Sequence, residues 1–466
     1  MNSQERYNSY KFFLSNHKSF YDNFFLTDLI RWFGEECVLS AGQIRNHWNI
    51  HLDSKESSKE ILNFYVHIPF CRSKCNYCPY FSKVPVDREI ESYLKNLKKQ
   101  ISFFREVFKS KKIDNLYIGG GTPSILSEKQ LMELVGNLKK YFSFEKRGEK
   151  TFEGNPESID KKKLKIIKDF GFNRISFGVQ SLDKNVLNSA LRGYQEFSKI
   201  KEVIQSARKL KFEINVDLMV GLRGDDASSI LSSFSGLADL RPDSIIVYRF
   251  RPPNGYFGLR SESFQSRERK KISEKFRKIK KQFKAEADKH NYEMIESKFV
   301  VYDSIGYKFL LKNKKILGNV YNFSPSPSSS QSLFALGSRA NAYIFKDLQY
   351  YYTKDGRDNF NFNSNSLDYK AVRLGERGEM RNFILQKLSH ERCFSRKGFA
   401  KHFGADFKEI FADGINGLKK IGKIRFQGDR VFFPEEPIDR FAACMFFFSE
   451  NDIRKKMIEK NNERKK

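Results

Sequence analysis

Cysteine is scarce in this chain, with six in 466 residues, and three of those, Cys37, Cys393 and Cys444, are isolated. Such spacing supports no disulfide framework and fits a reducing cytoplasm. Long hydrophobic runs are missing too. Met1 to Asn16 has no apolar core of a secretory signal, and no uninterrupted apolar stretch of about 18 residues occurs, so no membrane span is expected. The apolar fraction, 39%, is low yet compatible with a globular core. Acidic residues are few against basic ones: 56 Asp and Glu face 85 Lys and Arg, a formal net charge of +29. That sign suits nucleic acid, a membrane surface or an anionic small molecule. The positive residues are spread rather than blocked, so biased coding composition accounts for them at least as well.

The remaining three cysteines sit in eight residues, Cys71-x3-Cys75-x2-Cys78, just after the apolar run Phe64–Phe70. Three thiolates on one loop can face one point. A zinc knot would want a fourth ligand at a matching spacing, and His67, four residues upstream, is expected to point away from such a loop. Three inert buried thiols so close together would be unusual. A 4Fe–4S cluster held by protein alone takes four thiolates, so three leave one iron open to a small chelating ligand.

From residue 61 the chain alternates. β-prone runs at 64–68, 115–118, 151–153, 174–178, 212–219 and 244–250 are separated by stretches of helical period at 88–109, 128–142, 158–170, 196–210 and 227–239. Strand and helix in turn mean parallel strands with helices outside, here a partial (β/α)6 barrel with its function at the C-terminal strand ends. Residues 264–290 read as a long basic helix and Tyr292–Phe299 as a further strand. The chain divides into an N-terminal arm or lid (1–60) with helix-like spacing at Phe24–Leu26 and Leu29–Trp32, a barrel (61–300), a connecting region (301–369) with the Ser/Pro-rich loop 324–330, a small C-terminal domain (370–440) and a charged tail (441–466). In the C-terminal domain, helices near 370–388, 395–403 and 406–420 precede a hairpin around Gln427-Gly428-Asp429, a pattern resembling a winged helix. Nucleic-acid binding through it is disfavoured, because residues 395–420 carry mixed charge.

Cys71, Gly119, Glu153, Gln180 and Asp217 all fall at or just past an expected strand end. Gly119-Gly120-Gly121-Thr122-Pro123 allows positive φ and close backbone approach to a ligand. Glu153, Gln180 and Asp217 can bond hydroxyl groups, and Arg192 can fork onto a carboxylate.

Together, Tyr65-x-His67-Ile68-Pro69-Phe70-Cys71-x3-Cys75-x-Tyr77-Cys78, Gly119–Pro123, Glu153-x-Asn155-Pro156, Gly178-Val179-Gln180-Ser181, Arg192 and Asp217 resemble the radical S-adenosylmethionine (SAM) superfamily, and within it the oxygen-independent coproporphyrinogen III oxidase-like family. The resemblance covers about residues 61–300 and implies a partial barrel, with a small helical C-terminal domain over its mouth. It implies a 4Fe–4S cluster on Cys71, Cys75 and Cys78 and one or two molecules of S-adenosylmethionine. Tyr65, Gly120 and Glu153 match positions contacting one such molecule. Tyr77, Gly121, Thr122, Gln180, Arg192 and Asp217 match positions on the cofactor molecules or their shared pocket. The implied chemistry is reductive cleavage to a 5′-deoxyadenosyl radical, with electrons from a reduced flavodoxin or ferredoxin-type donor. The implied substrate is an anionic small molecule, a tetrapyrrole or similar. Haem ring-opening, radical methyl transfer and a haem chaperone without turnover stay open. Two departures stand out. The decarboxylating oxidases carry a further cysteine two residues after the third ligand, where this chain has Tyr80. Arg223 stands where the family usually has Pro.

Overall fold

A computed structural model describes residues 1–16, 34–54, 57, 60–78, 84–250, 252, 262–296, 305–314, 331–352, 361–390 and 393–463. Phe24–Leu26, Leu29–Trp32, Tyr80, Ser297–Phe299 and the loop 324–330 lie outside the described residues.

Strands β1 (Glu35–Leu39), β2 (Ile61–Ile68), β3 (Asn115–Gly120), β4 (Lys150–Gly154), β5 (Arg174–Gln180), β6 (Glu213–Val220) and β7 (Ser244–Arg249) are followed by β8 (Tyr292–Glu296), β9 (Ile305–Leu311), β10 (Gln331–Leu336), β11 (Asn341–Ile344), β12 (Leu348–Tyr352) and β13 (Tyr369–Arg373). Among the described residues they form one sheet in the order β1-β13-β12-β11-β10-β2-β3-β4-β5-β6-β7-β9-β8. The run β2 to β7 is parallel throughout and follows chain order. It is the six-strand barrel unit that the alternation predicts.

The intervening helices form where the pattern places them: Asp87–Phe104, Glu128–Tyr141, Lys161–Asp169, Phe197–Lys209 and Ala227–Asp239. Three of the five starts are fixed by side-chain caps, since Ser127, Asp160 and Asp226 each accept the N–H of the third helical residue. Each helix buries one apolar stripe, such as Leu131, Leu134, Val135 and Leu138. On the strands, Ile175, Phe177 and Val179 turn outward to that layer, which leaves Arg174, Ser176 and Gly178 on the other face. The barrel interior is therefore polar. Arg174, 3% exposed, lies 3.0 Å from Glu213 and 3.6 Å from Glu149, and Asn115 donates to Asn63.

The structure differs from the sequence reading in several places. Residues 301–369, expected as a connecting region, contribute β9 to β12 and the first residue of β13. β10 pairs parallel with β2, and β9 pairs antiparallel with β7, so the sheet continues past both sides of the six-strand unit. The described residues of 1–60, expected as an arm or lid, are divided between two cores. β1 pairs with β13, and Trp48, on the helix Ala41–Leu52, is fully buried with its indole N–H donating to Tyr350 Oη at 2.7 Å. Tyr7, Tyr10 and Phe13, on the helix Ser3–Asn16, pack instead into the C-terminal core. Residues 370–373, expected as helix, belong to β13, and the helix runs Gly375–His390. Residues 441–448, expected as charged tail, are the helix Pro437–Cys444 and a turn carrying buried Phe446, Phe447 and Phe448. The basic helix 264–290 is two, Glu262–Lys278 and Lys280–Lys289.

In the C-terminal region the helix expected over 406–420 is two. Helices Arg396–Phe403, Phe407–Ile410 and Ala412–Lys420 accompany a three-stranded sheet in which Arg425–Gln427 and Arg430–Phe432 form the hairpin and Cys393–Ser395 adds the third strand.

Candidate active site

The cysteine loop leaves β2 at Ile68 and lies against the turn after β3. Gly121 N–H donates to Ile68 O and Thr122 N–H to Phe70 O, both at 2.7 Å. That proximity explains the glycines. A Cβ on Gly121 would stand 2.5 Å from Phe70 O, and Gly120, at φ 116°, passes so near His67 that a Cβ would meet its ring at 2.5 Å.

Donors point at the sulfurs. Thr122 Oγ1 is 3.4 Å from Cys71 Sγ, and Arg192 Nη1 is 3.8 Å from Cys75 Sγ and 3.3 Å from Tyr77 Oη. Arg192 is 6% exposed and is held by Gly178 O at 2.7 Å and Gln195 Oε1 at 2.9 Å. Its Nε has no partner. Cys75 is buried, while Cys71 and Cys78 are half-buried. Burial pushes the Cys71 thiol up to about 11, against the pull of Thr122.

Past the glycines, Glu153 accepts from Gly120 N–H at 3.0 Å and from Tyr117 Oη at 2.5 Å. Burial raises its pKa against those two bonds. Asp217 accepts from Asn215 Nδ2 at 2.8 Å and Ser176 Oγ at 3.4 Å. Burial above all, with the charge of Glu153 adding to it, pushes Asp217 up to about 7. Tyr65 Oη bonds His67 Nδ1 at 2.9 Å, and its ring lies 6.1 Å from that of Tyr117. His67 thus turns toward Tyr65, and burial followed by Arg339 lowers it to about 4, so it stays neutral. Gln180 sits at φ 74° where the β5–β6 register shifts, and its Oε1 is buried without a partner. A polar side chain in strained backbone at a strand end marks a site.

The chemistry of this set is legible. Two carboxylates, Glu153 and Asp217, share a pocket and repel, which a cationic ligand would relieve. Among the described residues, no group of His, Cys, Asp or Glu converges tightly enough for a single metal ion. Three loop cysteines with separate donors suit a cluster instead, where each thiolate binds its own iron.

The Radical SAM superfamily model matches residues 65–234. That stretch holds the three loop cysteines and the strand-end residues Glu153, Gln180 and Asp217. The chain shares its fold with coproporphyrinogen III oxidase (HemN) from Escherichia coli, described as a radical SAM enzyme, at TM-score 0.66 and 20% identity over 86% of this chain and 92% of that one. The heme chaperone HemW of Buchnera aphidicola subsp. Acyrthosiphon pisum is 31% identical over 202 residues, 42% of this chain and 52% of that protein. The oxygen-independent coproporphyrinogen III oxidase of Pseudomonas aeruginosa is 31% identical over 194 residues, 41% of this chain and 42% of the oxidase. The chain therefore spans about half the length of these curated relatives in the matches.

Sequence reasoning missed Tyr117, Gln195, Ser176 and Asn215. Tyr117, Ser176 and Asn215 each lie two residues before a singled-out strand-end position, Gly119, Gly178 and Asp217, so the period-two alternation of a strand would have found them.

The pocket carries a pH signature. Asp217 has a folded pKa near 7 against about 3.9 unfolded, so the native state binds more protons between those values. Its stabilising contribution is complete below pH 4 and is lost as pH rises through 7. Asp217→Asn should stabilise the ligand-free protein at pH 8 on the order of 2 kcal/mol, a figure already reduced for solvent reaching a half-buried group. Wild type and variant should converge near pH 4. Urea titrations across pH measure this, and parallel curves for the two proteins would refute it.

Proposed function

We propose that this protein is a radical SAM enzyme acting on a tetrapyrrole or a related anionic, conjugated small molecule. Cys71, Cys75 and Cys78 would hold a 4Fe–4S cluster. The observation that carries the reading is the pair of donors, Thr122 Oγ1 and the buried Arg192 guanidinium, aimed at the sulfurs of Cys71 and Cys75. With cluster and S-adenosylmethionine bound, the chemistry supplied is one-electron cleavage of a sulfonium C–S bond to give a 5′-deoxyadenosyl radical.

This chain's residues hold and orient. The amides of Gly120, Gly121 and Thr122 are taken by Glu153, Ile68 and Phe70, so the turn would meet an ammonium group with acceptors, the Glu153 carboxylate among them. Tyr65 lines the same pocket. Glu153, Gln180 and Asp217 would accept hydroxyl protons of ribose, and Gln180 Oε1, buried without a partner, would gain one. Arg192, Tyr77 and Gln195 close the wall behind Cys75 and keep water from it.

The test is anaerobic incubation of the reconstituted protein with dithionite and S-adenosylmethionine, with 5′-deoxyadenosine read by chromatography. A haem chaperone is the second reading, favoured by the relatives named HemW. Tight haem binding with no 5′-deoxyadenosine under any reductant would establish it instead.

A second measurement fixes the reaction. Oxidative decarboxylation leaves an electron that must pass to an acceptor, and Tyr80 stands where the decarboxylating oxidases have a further cysteine. A phenol, with a pKa near 10, is no substitute for a thiol near 8.5. Coproporphyrinogen III should not be converted to protoporphyrinogen IX while 5′-deoxyadenosine still forms. Steady accumulation of protoporphyrin after oxidation would restore the plain oxidase reading.

A further inference from the structure

β9 lies between β7 and β8 and is antiparallel to both. Its aromatic positions face the helix layer. Tyr307 stacks on Phe276 with ring centroids 4.4 Å apart, and Phe309 lies 4.6 Å from Phe234 and 5.6 Å from Phe283. Strand alternation therefore turns Lys308, between them, to the barrel interior. Its strand neighbour on β7 is the buried Ile246. An ammonium group is costly in such a place unless something pairs with it.

Register puts Lys308 beside the site. Asp217 pairs with Ile246, and Ile246 with Lys308, so the two charged residues share one row across the inner face, two strands apart. That spacing is about 10 Å between backbones. The charges of Arg174, Glu149 and Glu213 reach Lys308, but those three are matched among themselves, Arg174 lying between the two carboxylates. Among the described residues Lys308 Nζ makes no hydrogen bond or ion pair. Burial above all, and then Arg174, lowers it to about 8. The pocket thus has two sides of opposite sign. Glu153 and Asp217 suit a cationic ligand, while Lys308, farther along the same wall, is a half-buried cation that suits an anionic one.

We infer that Lys308 binds a carboxylate of the substrate and so fixes which edge of an anionic molecule enters the barrel. The inference rests on the proposed function and deepens it, since it names the group by which the substrate is recognised. An ammonium is a compact point charge on a flexible stem, and it can follow a carboxylate on a flexible arm such as a propionate. A bound carboxylate would give Lys308 the counter-charge that its neighbours spend on one another. S-adenosylmethionine carries a carboxylate too, so binding of cofactor and of substrate are measured separately.

The full chain, with its cluster reconstituted, is titrated with coproporphyrin III and with the uncharged tetraamide of the same porphyrin, and binding is read by porphyrin fluorescence. Wild type should take the tetra-acid about tenfold or more tightly than the tetraamide, the scale of one charge-assisted contact. Lys308→Met should weaken the tetra-acid by that factor and leave the tetraamide as it was. Lys308→Arg, which keeps the charge, should retain most of the preference. A merely structural role would show elsewhere. The melting temperature of Lys308→Met should hold or rise, because the interior loses a charge without a partner. Tetra-acid and tetraamide weakened alike by Lys308→Met would overturn the inference, as would a wild type that binds neither or does not distinguish them. Weaker S-adenosylmethionine binding in Lys308→Met, read by equilibrium dialysis, would overturn it as well and assign the lysine to the cofactor. A wild type that prefers the tetra-acid through Lys308 but forms no 5′-deoxyadenosine under any reductant would overturn the enzyme reading and leave the carboxylate anchor standing.

Discussion

Replacing any one of Cys71, Cys75 and Cys78 by alanine will remove the iron of the anaerobically reconstituted protein, from about four irons per chain to a small residue. The brown chromophore and 5′-deoxyadenosine formation will go with it. The expectation is all-or-none because the loop offers three thiolates and the cluster needs each. Among the described residues the neighbours are poor replacements: His67 directs Nδ1 to Tyr65, and Thr122 can donate to a thiolate but is a poor ligand for iron. Cys37→Ala is the control. Cys37 lies on β1, paired with Ala371 on β13, and its loss should leave iron content and activity intact. Iron analysis and absorbance settle the matter. If Cys37→Ala loses iron while the loop variants keep it, the assignment fails.

The second large effect is structural. Phe334→Ala, on β10, should cost about 3–5 kcal/mol of stability, the range for removing a fully buried aromatic ring. Phe334 has no exposure, and its ring centroid lies 4.3 Å from Phe108, 4.9 Å from Phe64, 5.4 Å from Phe104 and 5.6 Å from Trp48. Those partners come from the helix Ala41–Leu52, from β2, and from the helix and turn that follow it. The cavity would open where three parts of the chain meet, so little can collapse into it. Denaturant unfolding measures the loss. A cost below about 1 kcal/mol would mean that residues 331–336 are not part of the barrel core.

The same ring shows why the sequence revealed one half of the fold better than the other. From β2 to β7 each strand pairs with the next one in the chain, so alternation in sequence is adjacency in space. The helices between them were legible from their caps and apolar stripes. Beyond β7 that rule stops. β10 pairs with β2 across some 270 positions, and β1 pairs with β13 across more than three hundred. Tyr369–Arg373 alternates little in sequence and reads as the start of the following helix, until β1 and β12 on either side make it a strand. Long-range pairing leaves no local trace. At the site, Cys71, Glu153, Gln180 and Asp217 were legible because strand ends and polar residue types coincide there. Gln195 was not, since it acts by holding Arg192 to the carbonyls of Val179 and Ser181 rather than by reaching the pocket.

The pairing of β10 with β2 also has a consequence in time. Asn63 and Ser332 are bonded neighbours 269 residues apart in the chain. On a ribosome adding about 5–20 residues per second, that separation is on the order of tens of seconds. Throughout that interval β2 has emerged with one edge unpaired, and the loop that follows it presents three thiols to the surrounding medium. The nascent chain is thus most open to strand addition and to oxidation at the segment on which its chemistry depends. Iron loaded before residue 336 appears would enter a half-walled site. Cluster insertion is therefore expected to follow release of the chain, and slow translation under oxidising conditions should lower the yield of iron-competent protein.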